Sequence, residues 1–224
     1  MQQGFNGFPA EAFEFFEQLA RHNDRDWFQA HKDVYERACR EPMKGLVAEL
    51  GANPVTTKFS RINRDMRFSR DKGPYRTYIA AGVRGNYISL SAAGLYVGTG
   101  LYKPEPAALE RFRNAIDSNL SGRSLERIVT SLRQKRYQVD THEKLTSAPR
   151  GYPAGHPRIE LLRMKDIFSG KTLPEAWLST RRAVQRIGRV MDDVRPLADW
   201  LRVHVRAHTE KRSNGDTRSS PPRR

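Results

Sequence analysis

Tyr78-Ile79-Ala80-Ala81-Gly82-Val83, Tyr87-Ile88-Ser89-Leu90 and Leu95-Tyr96-Val97-Gly98-Thr99-Gly100-Leu101 are three short runs rich in aromatic and branched residues. Each is too short for a stable helix and has the composition of a strand. Glycines at 82, 85, 94, 98 and 100 mark bends or close backbone contacts between them. Upstream, the turn signal Gly51-Ala52-Asn53-Pro54 is followed by Thr56 to Ile62, which reads as a further strand.

The flanks change period. From Pro9, Phe13, Phe16, Leu19 and Ala20 recur at helical spacing, with Glu11, Glu14 and Glu17 early, where carboxylates favour the positive end of the helix dipole. Asn23 to Asp26 punctuates that helix. Trp27, Phe28, His31, Val34, Tyr35 and Ala38 predict a second helix, ended or kinked at Pro42, and Leu46, Val47 and Leu50 a third. Downstream, Pro104 and Glu105 open a helix with the stripe Leu109, Phe112, Ile116 and Leu120; Ser121 to Arg136 forms another. An irregular stretch from Tyr137 to His156 precedes a short helix at Arg158 to Met164. A long apolar face then runs from Trp177 to Val205, kinked or divided at Pro196. Helices before and after a block of strands predict an α+β fold with a central, mostly antiparallel sheet flanked by N-terminal and C-terminal helices. We expect residues 1–205 to form one domain. Residues 206–224 carry almost no apolar side chains and are expected to be a disordered basic tail.

The chain has 224 residues and a formal net charge of +15, unevenly placed. Residues 1–52 hold six basic and nine acidic residues, whereas 53–80 hold seven basic and two acidic, so the sign reverses abruptly. An Arg-rich coding bias would raise the total; phosphate-rich ligands, nucleic acid or an anionic surface would use it. No apolar run approaches the roughly 20 residues of a bilayer span, so no membrane association is expected. The start Met1-Gln2-Gln3-Gly4 lacks a basic and an apolar region, which makes a cytoplasmic location the default expectation. A single cysteine, Cys39, excludes an internal disulfide, and the six histidines form no HExxH or clustered pattern, so no metal or cofactor is expected.

The densest chemistry lies at Arg61 to Tyr75, where five basic and two acidic residues fill fifteen positions. In an extended chain Arg61, Asp65 and Arg67 share one face and Arg64 and Phe68 the other. Guanidinium groups suit forked contacts with carboxylate or phosphate, and Lys72 beside Gly73-Pro74 would sit on a turn. Arg61, Arg64, Arg67 and Lys72 are therefore candidate ligands for an anionic small molecule. Asp65 or Asp71 could act as a general base or hold an arginine in place, and Tyr75 could donate to developing negative charge. The structural alternative is an Arg and Asp network that pins a loop to the sheet.

The order Arg61, Arg64-Asp65, Arg67-Phe68, Asp71-Lys72 and Tyr75 resembles the signature of the bacterial family called domain of unknown function 2461, also found within longer fungal proteins. Trp27-Phe28 with His31-Lys32, Gly100-Leu101-Tyr102-Lys103-Pro104-Glu105, Pro149-Arg150-Gly151-Tyr152, His156-Pro157 and Glu160-Leu161-Leu162-Arg163 extend the resemblance over roughly residues 5 to 205. The resemblance carries no established activity.

Two other stretches add candidates. Tyr102 and Lys103 precede a helix start, and Gly98-Thr99-Gly100 lacks the Gly-Lys-Ser/Thr spacing of a phosphate loop. The loop with Arg150, Tyr152, His156 and Arg158 could cap an anion site, or be a proline-fixed connector. Tyr102, Arg150 and His156 join the ligand-binding candidates. The competing functions are a nucleic-acid-binding module using residues 121–165, Arg181, Arg182, Arg186, Arg189 and the basic tail, and a non-catalytic scaffold that binds partners through Pro174 to Val205.

Overall fold

The computed structural model describes residues 4–65 and 73–206. Arg67, Asp71 and Lys72, and the tail from residue 207, lie outside the described residues. Helices α1 (Ala10–Arg21), α2 (Arg25–Ala30), α3 (Lys32–Val34) and α4 (Glu41–Glu49) precede strands β1 (Tyr78–Val83), β2 (Asn86–Ser91) and β3 (Gly94–Leu101). Helices α5 (Pro106–Asp117) and α6 (Asn119–Gln134), strand β4 (Gln138–Asp140), helix α7 (Ile159–Leu162), strand β5 (Ile167–Leu173) and helix α8 (Arg182–Leu201) follow. Among the described residues the strands form a five-stranded antiparallel sheet in the order β1-β2-β3-β5-β4, and the fold is α+β. No helix among these residues is long and apolar enough to cross a membrane. The chain divides into two compact units, Met1–Thr99 with Ser169–Arg195, and Gly100–Phe168 with Pro196–Arg224.

In the first unit the register explains the core. Ile79 pairs with Leu90 and Leu90 with Leu95; Ala81 pairs with Ile88 and Ile88 with Val97. All six are buried, so two apolar rows cross one sheet face. Helix α1 buries Ala12, Phe13, Phe15, Phe16 and Leu19. Asp24 caps α2 by accepting the Trp27 N–H at 2.9 Å. The helix expected across Trp27 to Ala38 breaks at His31, and Tyr35–Arg40 winds as a π-helix in which the Glu41 N–H reaches Glu36 O. Pro42 follows at the first turn of α4, where its missing N–H is harmless.

Cys39 is fully buried on that π-helix, its thiol 3.7 Å from Ala12 O, and burial pushes its pKa up. The protonated thiol is a poor nucleophile. We expect iodoacetamide to leave native protein unlabelled at mildly alkaline pH and to label it once denaturant is added; rapid labelling of folded protein would contradict this packing.

In the second unit Phe112 of α5 meets Trp200 of α8 edge-on at 6.1 Å, and the Trp200 Nε1–H donates to Ser121 O at 3.0 Å. Leu120, expected on the α5 stripe, is 85% exposed: α5 ends at Asp117, and the break at Ser118 puts Leu120 on the first turn of α6. Pro196 lies inside an α8 that continues to Leu201.

Three local expectations differ from the structure. Thr56 to Ile62 is not a strand, because Asn53 O accepts both the Thr57 N–H (2.9 Å) and the Thr57 hydroxyl (2.8 Å), winding the chain into a turn. Only Phe59 makes a β-bridge there, to Ala81. Strands β4 and β5 fall where the sequence pattern predicts irregular chain or no element. Ser169, Gly170 and Lys171 dilute the strand signal of β5, whose ladder partners come from distant β-structure.

Candidate functional site

The motif from Arg61 folds back on itself. Asn63 and Tyr75 form an antiparallel bridge, the Arg64 N–H donates to Pro74 O (2.8 Å), and the Arg76 N–H donates to Ile62 O (2.7 Å). These bonds make Asn63 and Tyr75 a non-hydrogen-bonded pair, so each turns its own N–H and C=O away from the other strand. Tyr75 would thus carry an orphan donor and acceptor. Asn23, from the corner between α1 and α2, supplies both partners: its Nδ2 donates to Tyr75 O and its Oδ1 accepts the Tyr75 N–H, each at 2.9 Å. One side-chain amide completes the pairing a neighbouring strand would give. Gly73 is required beside it, since a Cβ there would stand 2.7 Å from Asn23 Cγ.

Alternation across this short ladder sorts the side chains. Arg61 and Asp65 are exposed and share a face with Asn63 and Tyr75; Arg64 and Arg76 share the other. Tyr75 is 5% exposed and stacks on Phe28 with ring centroids 4.2 Å apart. Its ring therefore anchors the arm to α2. Trp27 packs against the His31 ring at 4.1 Å, and His31 Nδ1 lies 2.8 Å from Trp27 O. Arg76 Nη1 donates to the Tyr78 hydroxyl at 2.6 Å, with the guanidinium carbon 5.7 Å from that ring's centroid. Its Nε is buried with no hydrogen-bond partner among the described residues. Sequence reasoning passed over Asn23 and Arg76; the first lies 52 residues from its partner Tyr75, and the second sits just past the motif.

Tyr102, Arg150 and His156 belong to the second unit. Tyr102 is 63% exposed, and Arg150 is exposed. His156 is engaged through both nitrogens: Nδ1 accepts the Arg158 N–H at 3.0 Å, which places the ring proton on Nε2, where it is donated to Asp117 Oδ1 at 3.1 Å. The Tyr152 hydroxyl lies 3.1 Å from Asn114 Oδ1, and burial raises its pKa. Arg158 is buried and donates to Ile116 O (2.6 Å) and Asp117 O (2.8 Å), the last carbonyls of α5. This loop is stitched to a helix end, and the Arg158 guanidinium is spent on that helix rather than offered to a ligand.

The basic face expected on α8 is partly occupied as well. Arg181 pairs with Glu49 at 3.0 Å, and Arg186 donates to Trp177 O and lies over the Trp177 ring. A shallow hollow on α6 is lined by Asn119, Leu120, Arg123, Glu126 and Arg127, none of them a predicted site residue. Among the described residues no group of three or more His, Cys, Asp or Glu could hold a metal ion.

A family model described as "Conserved hypothetical protein (DUF2461)" matches residues 11–200, and the chain belongs to that family. Neither the curated proteins nor the solved structures contain a match.

Proposed function

We propose that this member of the DUF2461 family binds a phosphorylated or carboxylated small molecule on the arm formed by Arg61 to Arg76. The observation that carries this reading is the Arg76 Nε–H, buried without an acceptor among the described residues on the face that also presents Arg64. A buried donor without a partner is rare, and a guanidinium donor is best satisfied by an oxyanion that spans its fork. Arg64, Arg67 and Lys72 would add charge around that anion. Asp65 and Asp71 would orient the arginines or accept a proton, and Tyr75 would hold the arm in place.

The test is a thermal-shift series with inorganic phosphate, phosphorylated metabolites, nucleotides and short oligonucleotides against the parent, Arg64→Met, Lys72→Ala and Arg76→Met. A ligand at a hundred times its dissociation constant should add about 2.7 kcal/mol to parent stability. The arginine variants should lose that gain while folding normally. Variants that bind every anion as the parent does would remove the proposal. Binding of oligonucleotides alone, steeply weakened by salt, would replace it with the nucleic-acid reading.

A further inference from the structure

The second unit contains an oriented imidazole that the anion-binding reading does not use. The turn after β4 wraps around Asp166, which is 3% exposed. Asp166 Oδ1 accepts the Thr141 hydroxyl at 2.6 Å and the His142 N–H at 2.8 Å, and Oδ2 receives His142 Nδ1 at 2.9 Å. The two bonds to Oδ1 already close the turn. The third does something separate, because an ionised carboxylate can only accept: it places the imidazole proton on Nδ1 and leaves the lone pair on Nε2. Nε2 lies across the ring from Asp166 and has no hydrogen-bond partner among the described residues.

The ring is fixed on its flanks. Phe168 lies 4.6 Å away at 39° and Tyr102 5.0 Å away at 77°, yet the His142 side chain keeps 48% of its surface open. Lys103 holds its Nζ 5.4 Å from the Tyr102 ring centroid. Lys165 is paired with Glu143 at 2.8 Å, a hydrogen bond that holds the Glu143 carboxyl below its usual range. A reachable lone pair, a buried anion behind it and aromatic walls lie together, and the Lys103 ammonium stands over one of those walls.

We propose that His142 is a general base for hydrolysis of an anionic aryl or similarly flat ester, with Asp166 as its positioning residue and Lys103 attracting the substrate's negative group. Nε2 takes a proton from water as the water oxygen bonds to the ester carbonyl carbon. The carbon–oxygen bond to the alcohol then breaks, and the imidazolium, stabilised by Asp166, returns the proton to the departing oxygen. Ester and water become acid and alcohol, with no other reactant.

The experiment measures release of nitrophenol by the full chain from mono-4-nitrophenyl succinate and from 4-nitrophenyl acetate. The parent should exceed an equal concentration of free imidazole and favour the succinate. His142→Gln should lower the rate about a hundredfold. Asp166→Asn should lower kcat with KM unchanged, and Lys103→Met should raise KM for the succinate and erase the preference for it. If a variant fails to fold, diethyl pyrocarbonate decides on the parent: activity should fall in step with carbethoxylation of His142, followed by mass spectrometry. No rate above free imidazole, a His142→Gln rate equal to the parent, or activity that survives complete His142 modification would each overturn the proposal.

Discussion

Arg158→Ala is expected to destabilise the protein by about 3 kcal/mol, since buried carbonyls left without donors cost roughly 1–3 kcal/mol each. The side chain is buried, and its Nε and Nη2 satisfy Ile116 O and Asp117 O where α5 runs out of backbone donors. Its positive charge also opposes the negative end of the helix dipole. Glu126 stands only at 3.8 Å and is 42% exposed, so the ion pair contributes little beside the carbonyl bonds. Arg158→Lys keeps the charge but not the fork and should recover less than half the loss. Gly122→Ala tests the same junction from the other side: its Cβ would stand 2.1 Å from Ile116 O and 2.5 Å from Arg158 Nε. Both variants should unfold at clearly lower urea concentration than the parent. An unchanged midpoint for Arg158→Ala would mean that water replaces the guanidinium freely.

Asn23→Ala should cost about 2 kcal/mol, because it strands one donor and one acceptor on Tyr75 in a half-buried position. Asn23→Asp separates this account from a simple loss of packing. A carboxylate still accepts the Tyr75 N–H but repels Tyr75 O, whereas a protonated carboxyl can donate to it. The folded state therefore favours the protonated form and raises that aspartate's pKa above its unfolded value. The variant's stability relative to the parent should be best preserved below the unfolded aspartate pKa of about 3.9 and should decline as pH rises through the folded value. Urea melts of both proteins at matched acidic and neutral pH measure this. Trypsin should also cut after Arg61 and Arg64 faster in Asn23→Ala, since the arm's outer edge loses a side-chain clamp. Equal penalties for Asn23→Asp at both pH values would defeat the explanation.

The arm shows how far residue types carry a site. Charge density and spacing marked Arg61, Arg64 and Asp65, and alternation in an extended chain assigned Arg61 and Asp65 to one face and Arg64 to the other. The pairing of Asn63 with Tyr75 agrees with that alternation. Residue type offers Tyr75 as a donor to developing charge, whereas its ring stacks on Phe28. A phenol looks the same in a sequence whether it is packed or presented. His142 and Asp166 left no signal, since a histidine and an aspartate 24 residues apart acquire a relationship only when a turn wraps around the carboxylate.

Periodicity alone determined the helical flanks, the strands from Tyr78 to Leu101 and the α+β class, because amphipathic spacing reports which face of a local element must leave water. The motif from Arg61 to Tyr75 likewise announced the family. Tertiary structure decided the rest: that Thr56 to Thr57 turns, that Ile167 to Leu173 extends, that Leu120 faces solvent, and that Arg158 serves a helix end. Each depends on a hydrogen-bond partner or a chain break that hydrophobic spacing does not encode. Polar groups find their satisfaction wherever the folded chain supplies it, and for Tyr75 that place is a side chain 52 residues away.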